Sequence, residues 1–433
     1  MHDVTDHPDD LLGFGNLFAT EAREGVLPPH QNSPQQVAGG LYAEQLSGTA
    51  FTAPRAHNQR SWLYRLQPSA EHGPFEPADD VAPGWRTGPV DTPPTPNRQR
   101  WNPLPPPEGP TTLLQGVRTL AVNGSPEGQI GVGVHRYVAN ASMVDTAFFS
   151  ADGELMFVPQ SGALRIVTEL GVLEVGPGWI GVVPRGVRLR VELLDEVVSG
   201  YLCENHGAPF VLPELGPIGA NGLANPSDFR TPPAAYEDVQ RPTRLVQKLS
   251  GHFYATMLDR SPFDVVAWRG NLAPYRYELK HFNTINTVSY DHPDPSIFTV
   301  LTSPSGRPGV ANCDFVIFGP RWMVAEHSFR PPWFHRNVMS ELMGLVHGEY
   351  DAKAGGFAPG AASLHNVHSA HGPDRATFET ASRAELVPHK IDHTLAFMFE
   401  TCLPYRVVPD ALACPTRQAD YDAVWSGFRR GQG

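Results

Sequence analysis

Between Val144 and Leu194 short apolar runs alternate with glycine, proline and charged residues: Phe148–Phe149, Leu155–Val158, Ala163–Thr168, Val172–Val175, Trp179–Val183 and Val187–Leu193. Runs this short, rich in valine, isoleucine and phenylalanine and separated by turn formers, predict the strands of a β-sandwich or barrel. A second strand-like texture begins at Tyr277, with Thr284–Tyr290, Ile297–Thr302, Asp314–Phe318 and Leu342–Val346. Two segments read as helix. One is Ala234–Lys248, after Pro232-Pro233; the other is Thr416–Arg429, where Tyr421, Val424, Trp425 and Phe428 recur at three- and four-residue steps. Such a stripe usually serves packing. The first sixty residues are rich in turn formers, as in Gly13-Phe14-Gly15-Asn16 and Gly39-Gly40-Leu41-Tyr42, and read as ordered but irregular. From Pro83 to Pro110, ten of twenty-eight residues are proline, which excludes helix and central strand. An extended strap is expected there, with a disordered linker as the competing reading.

Composition narrows the class. A length of 433 residues gives a prior of about three domains, or two if the domains are large β structures. The 41 glycines and 44 prolines suit a folded protein of strands and turns. A net charge of −12 argues against nucleic acid or an anionic membrane as the main partner. Four scattered cysteines, Cys203, Cys313, Cys402 and Cys414, suggest neither a zinc ribbon nor a disulfide scaffold. A reducing compartment suits them. No run of 18 apolar residues occurs, and Met1–Asp10 is acidic and histidine-rich without an apolar core, so a cytoplasmic protein is expected.

Two patterns place chemistry on this frame. Gly178-x5-Pro184-x-Gly186 matches the opening of the second cupin motif, but Leu189 stands where its metal histidine belongs, so a metal-free barrel is expected in the first half. In the second half, His335-x-Asn337-x3-Glu341-x6-Gly348 matches the first cupin motif, with Asn337 in place of the second histidine. Fully extended chain would hold His335 and Glu341 about 20 Å apart. Ligands of one ion must approach within about 3 Å, each sitting near 2.1 Å from the metal, so the chain must bend between them. The third ligand is open among His365, His368 and His371. Two histidines and a carboxylate form the facial triad of non-haem Fe(II) oxygenases. His292, in the turn Asp291-His292-Pro293-Asp294, is a candidate general base. There is no G-x-S-x-G, no P-loop and no dinucleotide-binding glycine motif.

At Gly13–Asn16, Leu41–Arg55, Ser261–Trp268, Asp291–Thr302, Phe329–Asn337, Met339–Gly344, Gly355–Phe357 and His371–Asp374 the sequence resembles the homogentisate 1,2-dioxygenase family, over nearly the whole chain. The resemblance implies Fe(II) held by His335, Glu341 and His371, with His292 as base and Tyr350 touching substrate. It implies conversion of homogentisate and O2 to maleylacetoacetate in tyrosine and phenylalanine catabolism, by a homohexamer built as a dimer of trimers. His365 and His368 then become candidates for supporting or structural roles behind the ligands, with Asn337 a further candidate near the site; Arg336 and Lys353 are candidates for balancing substrate charge. Departures are Arg269, where histidine is expected, and Trp333-Phe334 in place of a tyrosine pair.

The expected fold is mainly β: a two-domain, cupin-like jelly-roll protein with a few helices. Residues 1–280 would form the N-terminal β-domain and 281–433 the catalytic barrel. The competing functions are ring cleavage of another hydroquinone-type acid and a non-catalytic cupin binding protein.

Overall fold

The period-two alternation of a strand decides how many faces of a sheet are buried, and here the central strands are apolar on both. In the strand Glu154–Ser161, Leu155 and Phe157 enter one core while Met156 and Val158 enter another. Trp179–Val183 divides likewise, Ile180 and Val182 against Val183. These strands lie inside a nine-stranded sheet, ordered Leu11–Leu12, Arg230–Thr231, Tyr275–Glu278, Trp179–Val183, Glu154–Ser161, Val198–Asn205, Val132–Ala139, Val117–Val122 and Arg406–Val407. The computed structural model describes residues 2–88, 90–350 and 356–431.

One face of that sheet packs on a seven-stranded sheet through Phe148, Ile166, Leu173, Val191 and Val246. Leu189, at the metal position of the degenerate motif, is buried in this core. The other face packs on a six-stranded sheet, ordered Thr299–Pro304, Ala311–Phe318, Leu395–Thr401, Ser340–His347, Ala362–His365 and Gln99–Trp101. Here Cys313, Phe315 and Ile317 point at the nine-stranded sheet, as do Phe397 and Phe399. The alternate residues Val316, Phe318, Met343 and Met398 face away from it. That outward face carries the chemistry.

The two halves of the sequence exchange strands. Gln99–Trp101, from the proline-rich segment, pairs with Ala362–His365 in the six-stranded sheet, and Arg406–Val407 pairs with Val117–Val122 in the nine-stranded one. Trp101 is fully buried and its indole N–H donates to the Ala411 carbonyl at 2.8 Å. The strap is therefore structural, not a linker.

Three expected elements differ. Ala234–Lys248 is not a helix: Pro242 interrupts it, and Thr243–Leu249 is a strand paired with His252–Leu258. The two-residue turn Ser250-Gly251, with φ of 51° and 80°, closes that hairpin with the twist strands require. Thr416–Arg429 forms only a 3-10 turn, Tyr421–Trp425, whose two aromatics pack on His365 and on each other while Phe428 packs on Phe334. Thr284–Tyr290 is not a strand: the Asn286 side chain donates to the Trp322 carbonyl, and polar side chains take up the Thr287 and Ser289 N–H groups. The first sixty residues are more regular than expected, with Tyr42–Ser47 paired to Arg60–Arg65.

Between the nine- and seven-stranded sheets, Lys248 is fully buried, 2.5 Å from Asp152 and 2.8 Å from Glu204. Burial pushes the Glu204 carboxyl up, but Lys248 first, then His206 and His135, outweigh it and hold the group down at about 2. A carboxyl lowered from 4.5 contributes stability above that value and loses it as pH falls towards 2. Lys248→Met, which strands both acids, should cost about 3–5 kcal/mol in urea unfolding at neutral pH. The variant should also lose much of the acid-sensitive component; equal unfolding midpoints for the two proteins would refute this role.

Candidate metal centre

Asn337 makes the bend that the motif requires. Its side-chain oxygen accepts from the Met339 N–H at 3.0 Å, an Asx turn that reverses the chain just before the strand Ser340–His347 begins. His335 stays outside that strand and pairs with His371 through reciprocal backbone hydrogen bonds of 2.9 and 3.1 Å. Glu341 is the second residue of the strand. One donor atom from each of His335, Glu341 and His371 thereby lies within 4.8 Å of the others. Among the described residues this is the one such group of histidine, cysteine and acidic side chains.

The imidazoles are oriented from behind. His335 Nδ1 lies 2.8 Å from the Trp333 carbonyl, and His371 Nδ1 lies 2.8 Å from that of Ser369. Carbonyls only accept, so each Nδ1 carries the proton and each Nε2 presents a lone pair. His371 Nε2 then sits 2.9 Å from Glu341 Oε2, and His335 Nε2 sits 3.7 Å from Oε1. Two acceptors at 2.9 Å need a cation between them, either a proton on the ring or a metal ion. Burial opposes ionisation of Glu341, but the neighbouring imidazoles of His335 and His371 and the Asn337 amide hold its carboxyl well below the usual range. Burial would lower His335; the Glu341 carboxylate and the Trp333 carbonyl raise it instead.

His335 and Glu341 line a cavity of about 520 Å³, while His371 lies on its far side, at a second opening. The cavity's apolar wall is Phe298, Phe318, Met398 and Trp333; its polar wall includes His292, Asp314 and Glu400. Arg336 is exposed at its edge. His292 Nδ1 lies 2.6 Å from the Arg330 carbonyl, which makes Nε2 its basic nitrogen. Burial, then the neighbouring Glu341, pushes the Glu400 carboxyl up to about 7.

The remaining sequence candidates are placed as follows. His365 is buried behind His371, stacked at 4.0 Å, with Nε2 3.0 Å from the Tyr421 hydroxyl. His368 is exposed, and only its backbone N–H joins the site, donating to the Asn337 carbonyl. Tyr350 is buried against Phe318, one layer behind the cavity wall. Lys353 lies outside the described residues. Trp333 forms part of the cavity edge, while Phe334 faces a second opening beyond His335 and His371. Arg269 belongs to the four-stranded sheet and donates to the Pro28 carbonyl, so its departure from histidine leaves the cavity lining unchanged.

Residues 10–279 match the family described as homogentisate 1,2-dioxygenase N-terminal, and residues 280–432 match homogentisate 1,2-dioxygenase C-terminal. The chain belongs to the homogentisate 1,2-dioxygenase family. It is thus a metal-dependent dioxygenase that cleaves the ring of homogentisate. Among solved structures, the chain is similar to the E. coli protein Ylba, with 9% identity, a TM-score of 0.32 and coverage of 75% of this chain and 97% of that one. It is similar to a variant of Bacillus subtilis oxalate decarboxylase, with 11% identity, a TM-score of 0.27 and coverage of 80% and 83%. A cupin 2 conserved barrel domain protein from Leptotrichia buccalis matches at 8% identity and a TM-score of 0.25, covering 66% and 89%. No helix is long and apolar enough to cross a membrane.

Sequence reasoning missed Asp314 and Glu400 in the cavity, and Arg98 and Tyr421 behind the histidines. The signal for Glu400 was a single acid directly after the apolar run Leu395–Phe399, where a buried strand has no ordinary use for charge. For Arg98, which donates to the Ala370 carbonyl at 3.1 Å, no local signal existed.

Proposed function

We propose that His335 Nε2, His371 Nε2 and a Glu341 oxygen hold Fe(II), and that the chain converts homogentisate and O2 to maleylacetoacetate in tyrosine and phenylalanine catabolism. The observation that carries this is the convergence of two lone-pair nitrogens and one carboxylate, each imidazole fixed by a carbonyl behind it. Two nitrogens and one oxygen on one side of an ion are the donor set of non-haem iron oxygenases, with positions left for substrate and dioxygen. Iron, when bound, supplies the one-electron chemistry towards dioxygen that side chains lack.

The chain's own residues do the rest. His292 Nε2 accepts the phenolic proton, its ring held by the Arg330 carbonyl and the edge of Trp333. Arg336 and Lys353 balance the substrate carboxylate, and Tyr350, packed on Phe318, supports the cavity wall from behind. Phe298, Phe318 and Met398 keep the ring out of water. The bond opened lies between the hydroxyl-bearing carbon and the adjacent acetate-bearing carbon.

We also place the domain boundary near residue 280 and the enzyme in the cytoplasm, as a homohexamer of two trimers. Exposed Val288, Tyr290, Trp322 and Val338, on segments near the cavity, support burial between subunits. The test is anaerobic loading of metal-free protein with Fe(II), Mn(II) or Zn(II), followed by oxygen uptake with homogentisate, gentisate or hydroquinone. Uptake is expected with Fe(II) and homogentisate; none with that pair, or equal uptake with Mn(II), overturns the reading.

A further inference from the structure

Asn337 does more than vacate a ligand position. Its side-chain oxygen is committed to the Met339 N–H, so its amide nitrogen must face the other way. There it donates to Glu341 Oε1 at 3.0 Å and to Glu400 Oε1. An amide nitrogen has two hydrogens, and both are used. Glu341 and Glu400 are direct cross-strand partners, and Asp314 is the partner of Glu400 on its other side. Three acids thus sit side by side on adjacent strands, all facing one cavity. Like charges directly opposite each other destabilise a sheet, so packing gives no reason for Glu400. What its oxygen does here is accept from the Asn337 amide, as that side chain's second anchor.

We propose that Glu400 is a positioning residue of the metal centre, fixing the Asn337 amide so that it occupies Glu341 Oε1 and turns Oε2 towards His371. The basis is geometric and rests on the ligand assignment above. With Oε1 hydrogen-bonded to the amide, Oε2 is the oxygen that Glu341 would present to a metal beside His371. Losing the anchor leaves the Asn337 amide nitrogen held by Glu341 alone, so that the two side chains can rotate together.

The test is metal affinity, read by chelator competition on anaerobic protein without substrate, together with thermal unfolding of the metal-free forms. Glu400→Gln keeps an oxygen that can accept from Asn337 and should bind Fe(II) within about threefold of the parent. Glu400→Ala should bind roughly 10- to 100-fold more weakly, the range for loss of an outer-shell partner. Its unfolding temperature should be equal or higher, since a like charge has gone. Asn337→Ala should weaken binding at least as much, and adding Glu400→Ala to it should cost nothing more. Parent-like affinity in Glu400→Ala overturns the proposal. So does a Gln variant as weak as the Ala variant, or additive losses in the double variant. His335→Ala serves as the control on the ligand reading itself: if it binds Fe(II) normally, that reading fails whatever the Glu400 variants do.

Discussion

Glu341→Ala should leave a folded protein that retains almost no iron and takes up oxygen with homogentisate far more slowly than the parent. The loss should exceed the roughly 100-fold ceiling for outer-shell changes, because a donor atom itself is removed. His335→Ala and His371→Ala should behave alike, since each removes one of three donors that lie within 4.8 Å. The fold should survive. Glu341 sits on the outward face of the six-stranded sheet, while Leu342 and Phe399 on the opposite face hold it to the core. Metal content and oxygen uptake, measured on the same preparation with circular dichroism as a fold control, decide the matter. Near-normal turnover in any of the three variants would remove that residue from the centre.

His292→Gln should separate proton transfer from metal binding. It should lower kcat by about 10²- to 10⁴-fold, the usual span for a positioned general base. Iron content should be unchanged, because His292 shares the cavity but is not one of the three convergent donors. A variant that loses iron in step with activity would make His292 part of the metal shell instead.

How far the sequence reached depended on whether a signal was local. Trp179–Val183 was legible to the residue, because a strand buried on both faces is a continuous apolar run. The segment Ala234–Lys248 was misread because Pro242, inside it, was passed over, and because the turn that pairs its second half, Ser250-Gly251, lies just beyond it. His335 and Glu341 were legible from motif spacing, and the bend between them follows from ligand geometry alone. The choice of His371 over His365 and His368 came from family resemblance, not spacing. In the fold that choice has a plain physical form. His365 lies directly across from Glu341 in the sheet, but its ring is stacked behind His371 and its Nε2 is turned to Tyr421. His368 sits on a left-handed turn with its side chain in solvent. Glu400 and Asp314 could not be tied to Glu341 without strand register, which no single strand encodes.

The exchange of Gln99–Trp101 and Arg406–Val407 changes what the boundary near residue 280 means. A cut there would divide the covalent chain but not the hydrogen-bond network. The first fragment would carry away an edge strand of the metal-bearing sheet, together with Arg98, whose guanidinium braces the Ala370 carbonyl next to His371. The second would take the edge strand that covers Val117–Val122. Each half is therefore the other's scaffold, and the motion open to them is concerted loosening of the whole, not the hinging of two independent bodies.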